Sequence, residues 1–207
     1  MSILTLSGSP SAQSRSGLVL AHLRTALEAA GERTRHLDLR DLPAGPLLAA
    51  RADDPVIDAA TRAVAEAQVV VLATPVYKAA YSGLLKAFLD LLPQSGLREK
   101  IVLPIATGGS LAHALAIDYA LRPVLAALGS RQILPGIFAV DQQIEAVDAA
   151  GARQARFDAA LTARLDEGVL RVRDALAHAR IEVPLDVVPG AYVWHAAAIS
   201  VAERCSA

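Results

Sequence analysis

The sequence has little of three things that would point to particular classes of protein: cysteine, aromatic side chains and an excess of charge of one sign. Its single cysteine, Cys205, cannot form an intrachain disulfide, so the cysteine count gives no reason to expect an oxidising compartment. Lysine and arginine number 20 against 21 acidic residues, and this balance provides no basic surface for nucleic acid or an anionic membrane. Aromatic residues make up only 4% of the chain, so the core has to be built mainly from Ala, Leu and Val.

Long uninterrupted apolar runs are also missing. None reaches membrane-spanning length without a proline, a glycine or a charge. The N-terminus runs directly into a strand pattern at Ile3 and Leu4 with no charged region before it, which is not the pattern of a signal peptide. We therefore expect a cytoplasmic protein. Because 54% of the residues are hydrophobic while the net charge is only −1, an apolar surface patch would tend to become a subunit interface, so we expect a homo-oligomer, either a dimer or a tetramer.

Short runs of branched aliphatic residues alternate with longer helical patterns along most of the chain. Strands are predicted at Ile3–Ser7, Thr34–Leu39, Val69–Thr74, Ile101–Ala106 and Ile133–Val140. Helices are predicted at Ser16–Ala30, Pro55–Ala67, Gly83–Leu92, Leu111–Leu128 and about Gln154–Ala179, with a long loop at Arg40–Asp54. This alternation predicts an α/β fold, a doubly wound five-stranded parallel sheet with helices on both faces.

The end of the chain differs in pattern from the rest. We assign residues 1–180 to a single domain and 181–207 to an apolar C-terminal tail, which contains Val187, Val188, Tyr192, Val193 and Trp194 without a clear period. Two roles stay open for this tail: an arm that docks in an oligomer, or a disordered end.

Two prolines, Pro104 and Pro123, complicate the predicted elements. Pro104 lies in the fourth strand, where it has no N–H for the ladder, and the sequence alone does not explain its position there. Pro123 lies in the helix Leu111–Leu128, has no N–H for the carbonyl of Tyr119, and crowds that carbonyl with its ring. It therefore predicts a one-residue bulge or a kink at Tyr119. The alternative is a plain proline kink with Tyr119 in the core.

In an open α/β sheet, ligands bind beyond the carboxyl ends of the strands, so the segments after strands one, three and four form the candidate site. After strand one, Gly8–Ser16 supplies four hydroxyl groups, one guanidinium and the start of a helix, which together suit a phosphate. The segment is neither GxGxxG nor a P-loop, so it favours a mononucleotide. The alternative is a serine-rich turn in which Ser14 or Ser16 only caps the helix.

The other two segments offer a ring-binding surface. After strand three, Pro75 stiffens the chain, and Tyr77 and Tyr81 present flat faces to a ring system, although two tyrosines four residues apart also suit a packing pair. After strand four, Gly108 and Gly109 let the backbone approach a ligand closely. Each segment alone is a weak signal, but all three lie at strand ends where a ligand is expected.

The motifs in these segments together resemble the NADPH-dependent FMN reductase family of flavodoxin-like proteins. They are similar in particular to the reductase component of two-component alkanesulfonate monooxygenase systems. The resemblance covers roughly residues 3 to 140 and is carried by Gly8–Pro10, Ser14–Ser16, Ala73–Gly83, Leu89–Pro93, Leu103–Pro104, Thr107–Gly109, His113 and Asp118–Leu121. It implies a flavodoxin-like strand order of 2-1-3-4-5, FMN and NADPH as ligands, and a homotetramer that acts in sulfur assimilation.

The resemblance also implies roles for individual residues. It places the FMN phosphate on Ser9, Ser14, Arg15 and Ser16. It places the isoalloxazine ring against Pro75, Val76, Tyr77, Lys78, Thr107, Gly108, Gly109 and Ser110. Family members often have a basic residue directly after Gly-Ser-Pro, where this chain has Ser11, and the missing charge indicates weaker retention of FMN. In the alkanesulfonate branch the tyrosine of the fourth helix lies in a π-helical insertion at a tetramer interface, so Tyr119 is expected to stack on the flavin, to gate it, or to cross a subunit interface.

These expectations describe an NAD(P)H-dependent FMN reductase that transfers hydride to flavin N5 and supplies free reduced FMN to a flavin-dependent monooxygenase. Hydride transfer needs stacking more than an acid or base, so we expect no acid/base catalytic residue and no metal site. The alternatives are a quinone or azo-dye reductase with tightly bound FMN, a non-catalytic flavin-binding protein, and an electron carrier, which would usually be more acidic. The preference for NADPH or NADH stays open, because the arginines that would recognise a 2′-phosphate cannot be identified.

Overall fold

The computed structural model describes residues 2–149 and 152–181, and a parallel sheet organises this part of the chain. The strands are β1 (Ile3–Ser7), β2 (Thr34–Asp38), β3 (Val69–Tyr77), β4 (Ala80–Tyr81), β5 (Ile101–Gly108), β6 (Gln132–Ile133), β7 (Ile137–Val140), β8 (Ile144–Ala149) and β9 (Ala152–Phe157). The helices are α1 (Arg15–Ala29), α2 (Ala44–Leu48), α3 (Pro55–Glu66), α4 (Gly83–Leu89), α5 (Arg122–Ala127) and α6 (Ala159–Ile181).

The main sheet has the order β2-β1-β3-β5, and β6 and β7 both pair in parallel with β5 at its far edge. Since β6 and β7 are the two halves of the predicted fifth strand, the flavodoxin-like order 2-1-3-4-5 is confirmed. The short β4 adds an antiparallel hairpin to β3, and β8 and β9 form a separate antiparallel pair.

Helices cover both faces of the sheet, as predicted. Alternate residues of β3 enter different cores: Val69 and Val71 pack with α1 and α6, whereas Val70 and Leu72 pack with α3, α4 and α5. A strand that buries both of its faces in this way explains the uninterrupted apolar run in the sequence.

The predicted fifth strand, Ile133–Val140, is not continuous, and its interruption accounts for Pro104. The N–H of Leu134 donates to the carbonyl of Val102 (2.8 Å), after which the chain leaves the sheet until Ile137 pairs with Ile105. Backbone groups alternate in direction along a strand, so Pro104 faces the same edge as Val102. An N–H at position 104 would therefore point into the gap between β6 and β7, where no strand offers it a carbonyl. A proline, which has no N–H, loses no hydrogen bond at this position.

Three other predictions were wrong in detail. The helix expected from Gln154 begins only at Ala159, because Asp158 accepts a hydrogen bond from the N–H of Leu161 (2.6 Å) and so caps the helix start, while the preceding residues form β9. The expected loop at Arg40–Asp54 contains α2 and a 3-10 turn. The helix expected over Leu111–Leu128 is divided into a 3-10 turn, a π-helical segment and α5.

Some sequence predictions fall on residues that are not described. The apolar tail lies outside the described residues from position 182 onward, so its role and the domain boundary near residue 180 stay predictions. In the part of the chain that is described, no helix combines the length and apolarity needed to cross a membrane.

Candidate active site

The carboxyl ends of β3 and β5 and the segments that follow β1, β5 and β7 meet at the same edge of the sheet and form a cleft of about 250 Å³. Of the predicted site residues, eight line it: Ser14, Arg15, Pro75, Val76, Tyr77, Thr107, Gly108 and Gly109. Three further lining residues were absent from the predicted set: Ser11, Gln13 and Asp141. The structure therefore brings together the three segments that the sequence singled out, and adds a fourth.

The segment after β1 is shaped by its own serines. Ser14 caps α1 by accepting a hydrogen bond from the N–H of Gly17 (2.9 Å), and its hydroxyl lies 3.3 Å from that of Ser16. Ser9 accepts from the N–H of Ser11 (3.1 Å). Ser9 and Ser16 are both fully buried, whereas Arg15 is exposed. The predicted contacts of Ser9 and Ser16 with a phosphate are untested, and the structure shows that both also shape the loop.

A buried network joins this loop to the segment after β3. Ser82 donates a hydrogen bond through its hydroxyl to the carbonyl of Gly8 and accepts one from the N–H of Leu85 (3.1 Å). Its own N–H donates to the hydroxyl of Thr74 (3.0 Å). A β-carbon on Gly8 would lie 3.0 Å from Cβ of Leu85, so only glycine fits this close approach without movement. Ser82 thus holds together two segments: Gly8–Ser14, which was predicted to bind phosphate and is called the phosphate-type loop below, and the segment after β3 that contains Tyr77 and Tyr81.

The segment after β3 is a tight hairpin rather than the predicted loop. Tyr77 pairs with Ala80, and between them Lys78 and Ala79 both have positive φ, 49° and 63°. Positive φ at both central residues is the geometry of a type I′ turn, which normally contains Asn or Gly. Two residues with side chains in this conformation place local strain beside the cleft. Tyr77 is half exposed at the cleft wall, while Lys78 does not line it.

The end of β5 and the residues that follow it contribute backbone to the cleft. Thr107 and Gly108 are buried, and a β-carbon on Gly108 would lie 3.2 Å from Cζ of Phe138. Ser110, which was predicted to contact the ring, is exposed and accepts a hydrogen bond from the N–H of Ala112 (3.2 Å), so it caps the following turn instead of lining the cleft. Its predicted contact with the ring stays untested.

Asp141 is the acidic residue of the cleft, and it lies 3.5 Å from the guanidinium of Arg15. It follows β7 directly, in a 3-10 turn that is fixed by a hydrogen-bond network. Gln143 accepts from the N–H of Val140 (3.1 Å) and from Arg164 (2.8 Å), and it donates to Asp158 (2.9 Å). The strand-end rule that identified the other segments also applies to the fifth strand, and would have found Asp141.

The segment around Tyr119 contains the predicted irregularity. Residues Ile117–Leu121 form a π-helical turn in which the N–H of Arg122 donates to the carbonyl of Ile117, directly before Pro123. The bulge is therefore confirmed. Tyr119 is 79% exposed, so the alternative that places it in the core is wrong. Its predicted contact with the flavin or with another subunit stays a prediction.

The strand order and a cleft built at the switch point of the sheet define a flavodoxin-like protein. More narrowly, the chain belongs to the NADPH-dependent FMN reductase family, whose model matches residues 1–145. The predicted family and class of enzyme, with FMN and NADPH as ligands, are thus confirmed at the level of the family. In the described residues, no group of three or more His, Cys, Asp or Glu side chains is placed to hold a metal ion.

Individual relatives support this membership over most of the chain. The FMN reductase (NADPH) of Pseudomonas putida strain KT2440 is 46% identical over 190 residues, which cover 92% of this chain and 93% of the relative. The FMN reductase (NADPH) of Escherichia coli strain K12 is 43% identical over 184 residues, 89% of this chain and 94% of the relative. Among solved structures, the apo form of an NADH:FMN oxidoreductase (EMOB) is similar with a TM-score of 0.75 and 36% identity, covering 84% of this chain and 89% of that one.

Proposed function

We propose that this protein reduces FMN with NADPH in the cleft and releases the reduced flavin. The observation that carries the proposal is the lining of one cleft by two kinds of surface: the start of α1 with Ser14 and Arg15, and Pro75, Val76 and Tyr77 from β3. Free N–H groups at a helix start and a guanidinium suit the FMN phosphate. The proline and tyrosine surfaces suit an isoalloxazine ring, which accepts the hydride at N5.

The ionisable groups of the cleft favour orientation over acid/base chemistry. Of the described lining residues, Arg15 and Asp141 are paired with each other, and Tyr77 lies at the rim. Hydride transfer requires the donor and acceptor rings to be held face to face, and proton transfer by a side chain is not needed for that step. The residues of this chain therefore act by binding the phosphate, flanking the ring and limiting access of water.

The destination of reduced FMN is the finer part of the proposal: a separate flavin-dependent monooxygenase of the alkanesulfonate type, in the cytoplasm. Two features support release of the flavin. Ser11 stands where the family resemblance implies a basic residue, and Asp141 places a negative charge beside Arg15. Both features reduce the positive charge available to the FMN phosphate, which suits a flavin that is used as a substrate.

The test is the rate of NADPH oxidation in air by the purified protein, with and without added free FMN. We expect turnover that is near zero without FMN and saturates as FMN is added, because FMN is then consumed as a substrate. Turnover that is independent of added FMN but requires a quinone would contradict the proposal and indicate a tightly bound prosthetic flavin. Absence of turnover with every acceptor would leave a flavin-binding protein without reductase activity.

The exposed π-helical segment supports a second element of the proposal, a homotetramer assembled through Tyr119. Leu111, Leu115 and Tyr119 are 67%, 60% and 79% exposed, an unusual group of large apolar side chains on one short stretch. We expect sedimentation of the wild type as a tetramer and of Tyr119→Ala as smaller species. Leu48→Ala is the control, since Leu48 is 77% exposed on a different element. Identical assembly of wild type and Tyr119→Ala would rule out this role.

A further inference from the structure

A second pocket adjoins the cleft on the outer side of the phosphate-type loop. It has a volume of about 220 Å³ and lies between α1 and the edge strand β2. Its charged lining comes from Arg24 on α1 and from His36, Asp38 and Arg40 at the end of β2, and Ser14 contributes to both the pocket and the cleft. The pocket therefore combines cationic side chains with a direct connection to the proposed flavin site.

Arg24 brings an incompletely satisfied cation to this pocket. Its Nε atom is buried and has no hydrogen-bond partner among the described residues. Its ion-pair partner, the carboxylate of Glu28, lies 3.8 Å away and already accepts a hydrogen bond from the hydroxyl of Thr34. A guanidinium that is partly withdrawn from water without full pairing has unused capacity to donate to an anion.

His36 adds a second donor. The hydroxyl of Thr5 donates to the carbonyl of Arg35 (3.1 Å) and lies 3.0 Å from Nδ1 of His36, which assigns a hydrogen to Nδ1 and leaves Nε2 to take up a proton. Desolvation, followed by the charge of Arg24, lowers the pKa of His36, with a smaller effect of Arg40 in the same direction and an opposing one of Asp38. A bound anion would oppose the contributions of Arg24 and Arg40 and favour the protonated ring, in which Nε2 becomes the second donor.

The carboxylate of Asp38 is already occupied. It pairs with the guanidinium of Arg40 at 3.0 Å, accepts from the N–H of Arg40 at 3.3 Å, and is only 13% exposed. Arg40 also approaches Asp41 at 3.6 Å. Asp38 therefore orients the guanidinium of Arg40, which remains one third exposed, at 34%.

The location of the pocket points to a particular part of a dinucleotide. In Rossmann-type dinucleotide folds, an acid about 20 residues after the glycine-rich loop binds a free ribose 2′-hydroxyl, and an arginine nearby accommodates a 2′-phosphate. This chain lacks that glycine-rich loop, so the comparison extends only to the guanidinium chemistry. Here β2 lies two strand positions from β3, roughly 10 Å at the usual strand spacing. A dinucleotide whose nicotinamide lies over the ring-binding segment can span that distance with its adenosine.

We infer that this pocket binds the adenosine 2′-phosphate of NADPH, with Arg24 and Arg40 as its guanidinium partners and His36 as a third donor. The inference rests on the proposed function, since it assigns the far end of the nicotinamide substrate. The group that the pocket would recognise is a phosphate monoester, and both NADPH and FMN carry one. The pocket is assigned to NADPH because the cleft has its own helix start and Arg15 for the flavin phosphate.

The kinetic test compares NADPH with NADH in the variants Arg24→Gln and Arg40→Gln. We expect the ratio of kcat/KM for NADPH to that for NADH to fall about tenfold in each variant, because NADH has no phosphate for the lost donor. Arg24→Lys should restore part of the ratio, since it keeps the charge but not the fork geometry. Arg62→Gln is the matched control, because Arg62 forms an exposed pair with Asp58 (2.7 Å) on α3. An unchanged ratio in both pocket variants would overturn the inference.

A binding measurement separates this site from the flavin site without relying on turnover. Calorimetric titration with adenosine 2′-monophosphate should show binding to the wild type about tenfold tighter than to Arg24→Gln, and weaker binding of the 5′-monophosphate. Competition of FMN with adenosine 2′-monophosphate would assign the pocket to the flavin phosphate and contradict the inference. If adenosine 2′-monophosphate binds as expected but no nicotinamide supports FMN reduction, the proposed function fails while the phosphate site stands.

Discussion

Replacement of Ser82 by alanine is expected to lower the free energy of unfolding by about 2–4 kcal/mol, and to raise the Kd for FMN. The hydroxyl is buried and joins the carbonyl of Gly8 to the N–H of Leu85, so its removal leaves both groups without these partners. A buried polar group left unsatisfied costs about 1–3 kcal/mol, and loss of a helix N-cap about 1 kcal/mol. Urea denaturation and fluorescence titration with FMN measure the two effects.

The rise in Kd distinguishes a positioning role from a purely structural one. Asp54→Ala is the control, because Asp54 caps α3 through the N–H groups of Val56 and Ile57 and has no contact with the cleft. We expect this control to lose about 1 kcal/mol of stability while FMN affinity is unchanged. If Ser82→Ala binds FMN as tightly as the control does, the connection between Ser82 and Gly8 does not position the phosphate-type loop.

The order of the sheet could be predicted because each parallel strand carries its own local signal. The run from Val69 to Leu72 needs no tertiary information to be recognised as a strand buried on both faces. The interruption of the fifth strand has a local signal, Pro135-Gly136, but the predicted strand ran through it. The geometry there also depends on a contact across the fold: a β-carbon on Gly136 would lie 2.7 Å from Ile117, the first residue of the π-helical turn. Pro123 predicted the π-helical turn, but the sequence did not predict that this turn would lie against Gly136 in the fifth strand.

The hairpin after β3 shows a different limit. A type I′ turn is recognised in sequence by Asn-Gly or similar pairs, and Lys78-Ala79 contains neither. Without a turn signal at these two residues, the predicted third strand ended at Thr74, whereas β3 continues to Tyr77. The surrounding sheet imposes the turn on residues that do not prefer it, so only the structure reveals it.

The candidate site was predictable to the extent that its residues lie at strand ends. Arg15, Pro75 and Gly108 follow directly from that rule. Ser82 does not, because its function depends on a contact with Gly8, 74 positions earlier in the chain. The charges of the pocket beside β2 were equally hidden, since Arg24 and Arg40 lie on different elements and meet only after α1 packs against the sheet.

Replacement of Asp141 by asparagine is expected to lower the Kd for FMN about tenfold. In the wild type, the carboxylate attracts the guanidinium of Arg15 at 3.5 Å and lies in the cleft proposed for the FMN phosphate. Both side chains are partly exposed, so their mutual attraction is worth only about 0–1 kcal/mol. The repulsion between the carboxylate and a phosphate dianion adds to this, and a combined change of about 1.4 kcal/mol corresponds to a tenfold shift in Kd.

Fluorescence titration with FMN at low and high salt checks this expectation, and the gain should shrink as salt screens the charges. Asp58→Asn is the matched control, because it breaks an exposed Arg–Asp pair on α3, away from the cleft, and should leave the Kd unchanged. Weaker FMN binding in Asp141→Asn would mean that the carboxylate accepts a hydrogen bond from the flavin instead of competing with its phosphate. Tighter binding would mean that Arg15 and Asp141 together hold the affinity low, so that a reductase that must give up reduced FMN does so through a charge beside the phosphate site.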